Sequence, residues 1–230
     1  MSPTIAAIVP MRHQSLRVPG KNYRPFAGRP LYHHIIDTLR WCPRITQIVI
    51  DTDSDLIRAD AAKHFPRVEV LLRPEYLRAD TTPMNDVLLH TTSAVDAQFY
   101  LQTHSTNPLL SSETINRAID DLLKSYPAYD SLFGVTRTQN RLWDQLARPI
   151  NHNAGILLRT QDLPPVYAEN SCLYLFPRAT LEQEHNRIGR RPLMFEIDRA
   201  EAVDIDEELD FRVAEAMYLA RADELVRRTA

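Results

Sequence analysis

The strongest constraint on the fold is an alternation of two hydrophobic periods along the first 136 residues. "TIAAIVP" (4–10) is a short apolar run and reads as a buried strand. "RPLYHHIIDTLRW" (29–41) carries Leu31, Ile35, Ile36 and Leu39 at helical spacing, with Pro30 suited to a first turn. "ITQIVID" (45–51) is β-branched and predicts a strand; "SDLIRADAAKHF" (54–65) opens on the capping residue Ser54 and predicts a helix. The same pair recurs as strand 68–73 and helix 84–96, strand 98–102 and helix 111–126, then strand 130–136. Strand and helix alternating in this way imply a mostly parallel sheet covered by helices on both faces.

The pattern breaks at 137–168, where Arg137, Arg141, Trp143, Arg148, His152 and Arg159 occur among prolines. That segment reads as an excursion from the sheet: a hairpin, arm or lid. Order returns with expected strands at 171–176, 193–197 and 201–205, and a last helix from about 207 to 228. Residues 1–230 read as a single domain. At 44% hydrophobic residues the chain has enough apolar side chains for one core, and a net charge of −3 gives it no general affinity for polyanions. Nucleic acid is therefore not an expected partner. Cys42 and Cys172 have no metal-site spacing and read as reduced thiols. "MSPTIAAIVP" lacks a basic start, and no apolar run reaches the roughly 20 residues of a membrane span, so a cytoplasmic location with no membrane partner is expected.

Against that acidic balance, "VPMRHQSLRVPGKN" (9–22) carries Arg12, Arg17 and Lys21 with no acid, and Arg24 follows. Open parallel sheets bind ligands beyond the carboxyl ends of their strands, and this loop leaves the first strand there, so Arg12, Arg17, Lys21 and Arg24 are expected to face a site. It matches neither GxGxxG nor GxxxxGK[ST], so an anion would be held by side chains more than by backbone amides. Near the other end, "AVDIDEELDF" (202–211) spaces Asp204 and Asp206 two apart. On a strand they would share one side and suit Mg²⁺, which prefers oxygen ligands. Alternatively Asp206 caps the last helix and Asp204 is a surface residue. Asp51 and Asp53 read as turn-shaping, Trp41 as core or a helix-end plug, and His33 and His34 as helix residues with no acid to complete a metal site.

The opening stretch resembles the N-terminal signature of the sugar-activating cytidylyltransferases, the CMP-N-acylneuraminate synthetases and the related CMP-Kdo synthetases. Arg12, Ser15, Arg17, Pro19, Gly20 and Lys21 fit it, Met11 replaces the usual alanine, and Asn22 fits the sialic acid branch. "FAGRPLYHHIIDTL", "VIDTDSDLI", "RPEYLRADTTPMNDVLLH", "THSTNPLLSSETI", "RTQDLPPVYAENSCLYLF" and "AVDIDEELDF" are similar to the family's later motifs, in order. The resemblance implies a Rossmann-like, nucleotide-diphospho-sugar transferase fold with a small dimerisation arm at 137–168, and hence a homodimer. It implies transfer of CMP from CTP to the anomeric hydroxyl of an acidic 2-keto sugar. Arg12, Lys21 and Asp206 would be catalytic. Ser15, Arg17, Asn22 and Arg73 would join Arg12 and Lys21 in binding the nucleotide, and Asp204 and Asp206 would hold Mg²⁺.

The acceptor end departs from the family. His104 stands where the family has a sugar-binding glutamine, and Thr106 where the Kdo branch has an aspartate. Ser171 and Cys172 replace the small residues of N-G-A-I-Y, and Thr160 replaces a basic residue, leaving Arg159 as the expected carboxylate clamp. Gln161 and Asn170 are further acceptor candidates. His104 is open to three readings: sugar contact, base for the hydroxyl, or polar loop residue. The acceptor is expected to be N-acylneuraminate-like. Kdo-like, legionaminate- or pseudaminate-like acids, a phosphonate, and a catalytically silent nucleotide binder are the alternatives.

Overall fold

The computed structural model describes residues 3–229, with side chains as far as residue 223. In chain order the elements are β1 (Ile5–Met11), β2 (Pro25–Phe26), β3 (Arg29–Pro30), α1 (Leu31–Arg40), β4 (Gln47–Thr52), α2 (Asp55–His64) and β5 (Glu69–Leu72). There follow α3 (Met84–Ala94), β6 (Phe99–Thr103), α4 (Ser112–Ser125), β7 (Ser131–Thr138), β8 (Val166–Pro177), α5 (Arg178–Glu184), β9 (Pro192–Glu196) and α6 (Glu208–Thr229). Short 3₁₀ turns occupy 21–23, 75–77 and 160–162.

The main sheet has the strand order β5-β4-β1-β6-β8-β7-β9. β1 runs parallel to β4 and β6, β4 to β5, and β7 to β9. β8 alone is reversed, pairing antiparallel with both β6 and β7. The expected mostly parallel sheet is therefore present, with one inverted strand.

All seven residues of β1 are buried, because both of its faces are covered. Ile5, Ala7, Val9 and Met11 pack on one side with Ile35 and Ile36 of α1, Ile57 of α2 and Ile115 and Ile119 of α4. Ala6 and Ile8 pack on the other with Leu88 of α3 and Leu181 of α5. At roughly 2 kcal/mol for each fully buried aliphatic side chain, these contacts outweigh the ~1 kcal/mol of a single helix cap. The caps set the ends: Ser54 Oγ accepts from Ile57 N, and Ser111 Oγ from Thr114 N. Pro30 lies at the N-cap of α1, one position ahead of the expected first turn.

Three expectations are corrected. Residues 201–205 form no strand: Ile205 N bonds to Thr106 O at 2.9 Å, and Asn107 Nδ2 to Val203 O at 3.3 Å, so the segment is fastened to a loop instead of a ladder. Trp41 neither enters the core nor plugs a helix end; it is 79% exposed. His33 does have an acid nearby: Asp60 of α2 bonds His33 Nε2 at 2.6 Å and lies 3.0 Å from His64 Nδ1.

β7 and β8 continue their ladder to the Thr138–Val166 pair, so the sheet extends into both ends of the 137–168 excursion. The rest of that segment is mostly exposed, and its one bridge joins Trp143 to Pro149.

His34 of α1 gives the fold an acid-sensitive point. The ring is 2% exposed, donates 2.9 Å to Phe26 O and sits edge-on to Phe26 and Tyr218. Burial pushes its pKa down from 6.5 to about 4, with Arg29 adding to the effect. The unfolded chain therefore takes up this proton first as pH falls. The stabilisation is complete above pH 6.5 and lost between 6.5 and 4. Denaturant unfolding is expected to lose about 3 kcal/mol across that window from this residue, and His34→Gln is expected to flatten the profile by a similar amount. A profile unchanged by the substitution would exclude His34 as a source of acid lability.

Candidate active site

The loop after β1 folds back because Gly20 adopts φ 65°, where a Cβ would lie 2.8 Å from the Tyr23 ring. Any other residue there would be strained and would collide. Asn22, nearly buried, donates from Nδ2 to Arg12 O at 2.8 Å and accepts from Ser105 Oγ at 2.6 Å. Asp53 accepts from His13 N at 2.7 Å. These bonds shape the loop and tie it to the ends of β4 and β6.

Helix α6 brings the distant carboxylates to this loop. Val18, Phe26, Leu31, Ile205, Phe211 and Ala214 form a small core between them. Arg24 makes a two-pronged bond to Glu208, at 2.6 and 2.8 Å, and stacks its Cζ 4.2 Å above Phe211. Arg24 thus pins α6 and does not face the site, contrary to the sequence reading. Asp210 accepts from the N–H groups of Asp206 and Glu207, at 3.0 and 2.8 Å. Asp206 is therefore spared the capping role.

The result is a cleft of about 660 Å³ at the carboxyl ends of the parallel strands. Arg12, Ser15, Arg17, Lys21, Asn22, Arg73, His104, Asp204 and Asp206 all line it. Arg12 pairs with Asp80, and Arg17 donates to Asp206 Oδ1 at 2.6 Å. The side chain of Lys21 is 11% exposed; its Nζ donates to Ile205 O and lies 4.0 Å from Asp206. Burial lowers the Lys21 pKa, and Asp204 and Asp206 oppose that shift. Arg73 is held by Asp51, leaving only part of its guanidinium toward the cleft.

Asp204 Oδ1 is buried without a hydrogen-bond partner. Burial raises the Asp204 pKa, and the neighbouring Asp206 charge adds to the rise. A second carboxylate beside an orphaned carboxylate oxygen is an all-oxygen donor pair that fits a hard divalent cation.

The acceptor candidates separate. His104 is in the cleft, and burial, with Arg187 and Lys21 nearby, pushes its pKa down to about 3. Asn170 is occupied within the β7–β8 ladder, donating to Thr136 Oγ1 at 3.0 Å and accepting from Cys172 N at 3.2 Å. Arg159 and Gln161 sit on the exposed 160–162 turn and its approach; Arg159 pairs with Asp162, and Gln161 lines a separate groove. Within one chain the cleft therefore gathers the nucleotide and metal candidates and His104, but not the other three.

Arg187, which sequence reasoning missed, lines the cleft together with Ser171, one of the two replacements the sequence singled out at the acceptor end. Ser171 has φ 57° within β8, opposite a register shift between Phe133 and Val135 of β7. A non-glycine residue in that conformation is a strain that active sites often hold. The replacement of a small family residue by Ser171 was the one available signal.

The family model described as cytidylyltransferase matches residues 6–225. The chain is 27% identical over 219 residues to post-translational flagellin modification protein B of Campylobacter coli, covering 89% of this chain and 90% of that one. It is 25% identical over 223 residues to an N-acylneuraminate cytidylyltransferase of Escherichia coli, covering 93% of this chain but only 52%, about half, of that relative. Among solved structures, CMP:2-keto-3-deoxy-manno-octonic acid synthetase complexed with CTP superposes with a TM-score of 0.72 at 13% identity, over 95% of this chain and 99% of that one. That last likeness speaks for the fold. With the family model spanning nearly the whole chain, the protein belongs to the cytidylyltransferase family of nucleotidyltransferases.

Proposed function

We propose that the protein transfers CMP from CTP to the anomeric hydroxyl of an acidic, N-acylneuraminate-like 2-keto sugar and releases pyrophosphate. The observation that carries this reading is the convergence of Arg12, Arg17 and Lys21 with Asp204 and Asp206 on one cleft. Arg12 and Arg17, both on exposed ion pairs, exchange their carboxylates for phosphate at little cost. Lys21 neutralises charge on the leaving pyrophosphate. The hydroxyl oxygen attacks the α-phosphorus in line; the bond to the bridging oxygen of the β-phosphate breaks, and the hydroxyl proton passes to solvent. Positioning and charge neutralisation carry most of the acceleration.

Asp204 and Asp206 would hold Mg²⁺, which supplies charge neutralisation to phosphate oxygens when bound. His104 acts as a neutral hydrogen-bonding contact to the acceptor, because a group titrating near pH 3 is too weak a base for the hydroxyl. Arg159 and Gln161 reach an acceptor if the arm of a second copy lies over the cleft. Leu146, Ile150, Ile156 and Leu157, all more than half exposed, give that arm an apolar face for a homodimer.

The test is pyrophosphate release from CTP and Mg²⁺ with N-acetylneuraminate, a legionaminate, a pseudaminate, Kdo and a phosphonate. Release with at least one acid is expected, falling about 10³-fold in Asp206→Ala. Release confined to a member other than N-acetylneuraminate would keep the chemistry and change the acceptor. No release from any of them, with CTP bound, would favour the silent nucleotide binder.

A further inference from the structure

Arg187 lies on the loop joining α5 to β9, which is fixed at several points. His185 takes φ 48° to turn the chain. Asn85 Oδ1 accepts from Arg187 N at 3.3 Å, and Asn186 Oδ1 accepts from Ile188 N at 3.1 Å. Gly189 N donates 2.8 Å to Ser131 Oγ, and the Asp130 carboxylate accepts from the N–H groups of Arg190 and Arg191. A Cβ at Gly189 would lie 2.2 Å from Asp130 Oδ1, so only glycine fits. All these bonds deliver one side chain into the cleft.

The guanidinium of Arg187 lies over Tyr174, Cζ 3.5 Å from the ring centroid, and Nη1 donates 2.6 Å to Gln102 Oε1. Because that oxygen accepts, Gln102 Nε2 is the donor in its 2.7 Å contact with His104 Nε2. His104 therefore carries its proton on Nδ1. The other arginines in the cleft have carboxylates: Arg12 has Asp80, Arg17 has Asp206 and Arg73 has Asp51. Among the described residues, no carboxylate lies within 4.0 Å of Arg187. Glu169 acts on Arg187 from farther off and is itself bonded by Tyr174 Oη, so the half-buried guanidinium has no direct carboxylate partner and keeps donors for an entering anion.

We propose that Arg187, set by Tyr174 and Gln102, is the residue that binds the carboxylate of the acceptor, with His104 Nδ1–H as a second donor. In the ring form of a 2-keto acid, the carboxylate and the attacking hydroxyl share one carbon. The clamp must then lie close to the phosphates. His104 and Arg187 meet that condition, since they line the same cleft as Arg12 and Lys21. Arg187 thereby takes the part the sequence assigned to Arg159. This assignment rests on the cytidylyl-transfer reading above.

The experiment uses the best acid of the panel and compares wild type with Arg187→Ala, Arg187→Gln and Arg187→Lys. The acceptor KM is expected to rise roughly 30-fold or more in the first two and less in the lysine variant, with the CTP KM within about twofold. The carboxamide of the same acid is expected to be a poor substrate for wild type and to lose that disadvantage in Arg187→Ala. An unchanged acceptor KM overturns the proposal, and so does a parallel rise in the CTP KM, which would make Arg187 a phosphate ligand. If no acid is turned over, pyruvate is titrated into the CTP-bound protein and the Arg187 Nε–H resonance is followed. A saturable shift of that resonance, with pyruvate binding measured by calorimetry lost in Arg187→Gln, supports the clamp; no shift overturns it. Failure of the broader reading would look different: neither CTP binding nor pyrophosphate release.

Discussion

Lys21→Met is expected to lower kcat by about 10²–10³-fold while leaving the melting temperature nearly unchanged, because one fixed donor to developing phosphate charge is worth that much. The Lys21 stem lies in a narrow slot, with Nζ on Ile205 O and 4.0 Å from Asp206. Methionine keeps the apolar stem and removes the charge together with the bond to Ile205 O, a loss that relief of the half-desolvated ammonium offsets. Lys21→Arg is not expected to rescue activity, since a planar fork does not fit a slot that leaves the lysine side chain 11% exposed. Steady-state kinetics with varied CTP, beside thermal melts, checks both statements. A variant that melts early but turns over normally when folded would make Lys21 only a pin between the opening loop and the 204–206 segment.

The same slot shows what the sequence could reveal. The cations of 12–21 and the carboxylates of 204–206 are each visible as local patterns, and the ligand edge of a parallel sheet suggests where the first group lies. Their meeting depends on α6, which Arg24 and Phe211 fasten to the loop. Arg24 and Arg17 look alike in sequence, but one holds a helix and the other lines the cleft. The alternation of periods shows strands and helices but not direction. β8 runs backwards because the chain returns from the 137–168 excursion at the same end of the sheet from which it left. Residues 201–205 alternate like a strand, yet the partner for Ile205 N is Thr106 O in a loop. Arg187 gave no signal, since "EHNRIGRR" reads as solvated charge and its anchors Asn85, Ser131 and Asp130 are remote in sequence.

Arg73 is the case where a site residue and a stability residue coincide. Its side chain is 2% exposed and that of Asp51 is not exposed at all. Arg73 Nε donates to Asp51 Oδ1 at 2.5 Å, Nη2 donates to the Asp51 carbonyl at 3.2 Å, and Thr91 Oγ1 donates to Oδ2 at 2.9 Å. Removing one partner leaves the other buried and uncompensated. Asp51→Ala is therefore expected to cost about 3–5 kcal/mol, or roughly 10 °C in a chain of this length. Arg73→Met is expected to cost a similar amount. The double change Asp51→Val/Arg73→Met is expected to recover much of that loss, because an apolar pair needs no counter-ion. Denaturant melts of the four proteins give the coupling directly, and strict additivity would mean that the pair is not a unit. CTP titration of the double variant then separates the two roles of Arg73. Stability restored without CTP binding would show that its free edge holds the nucleotide. Stability and binding restored together would leave Arg73 as the brace that keeps β4 and β5 aligned beneath the cleft.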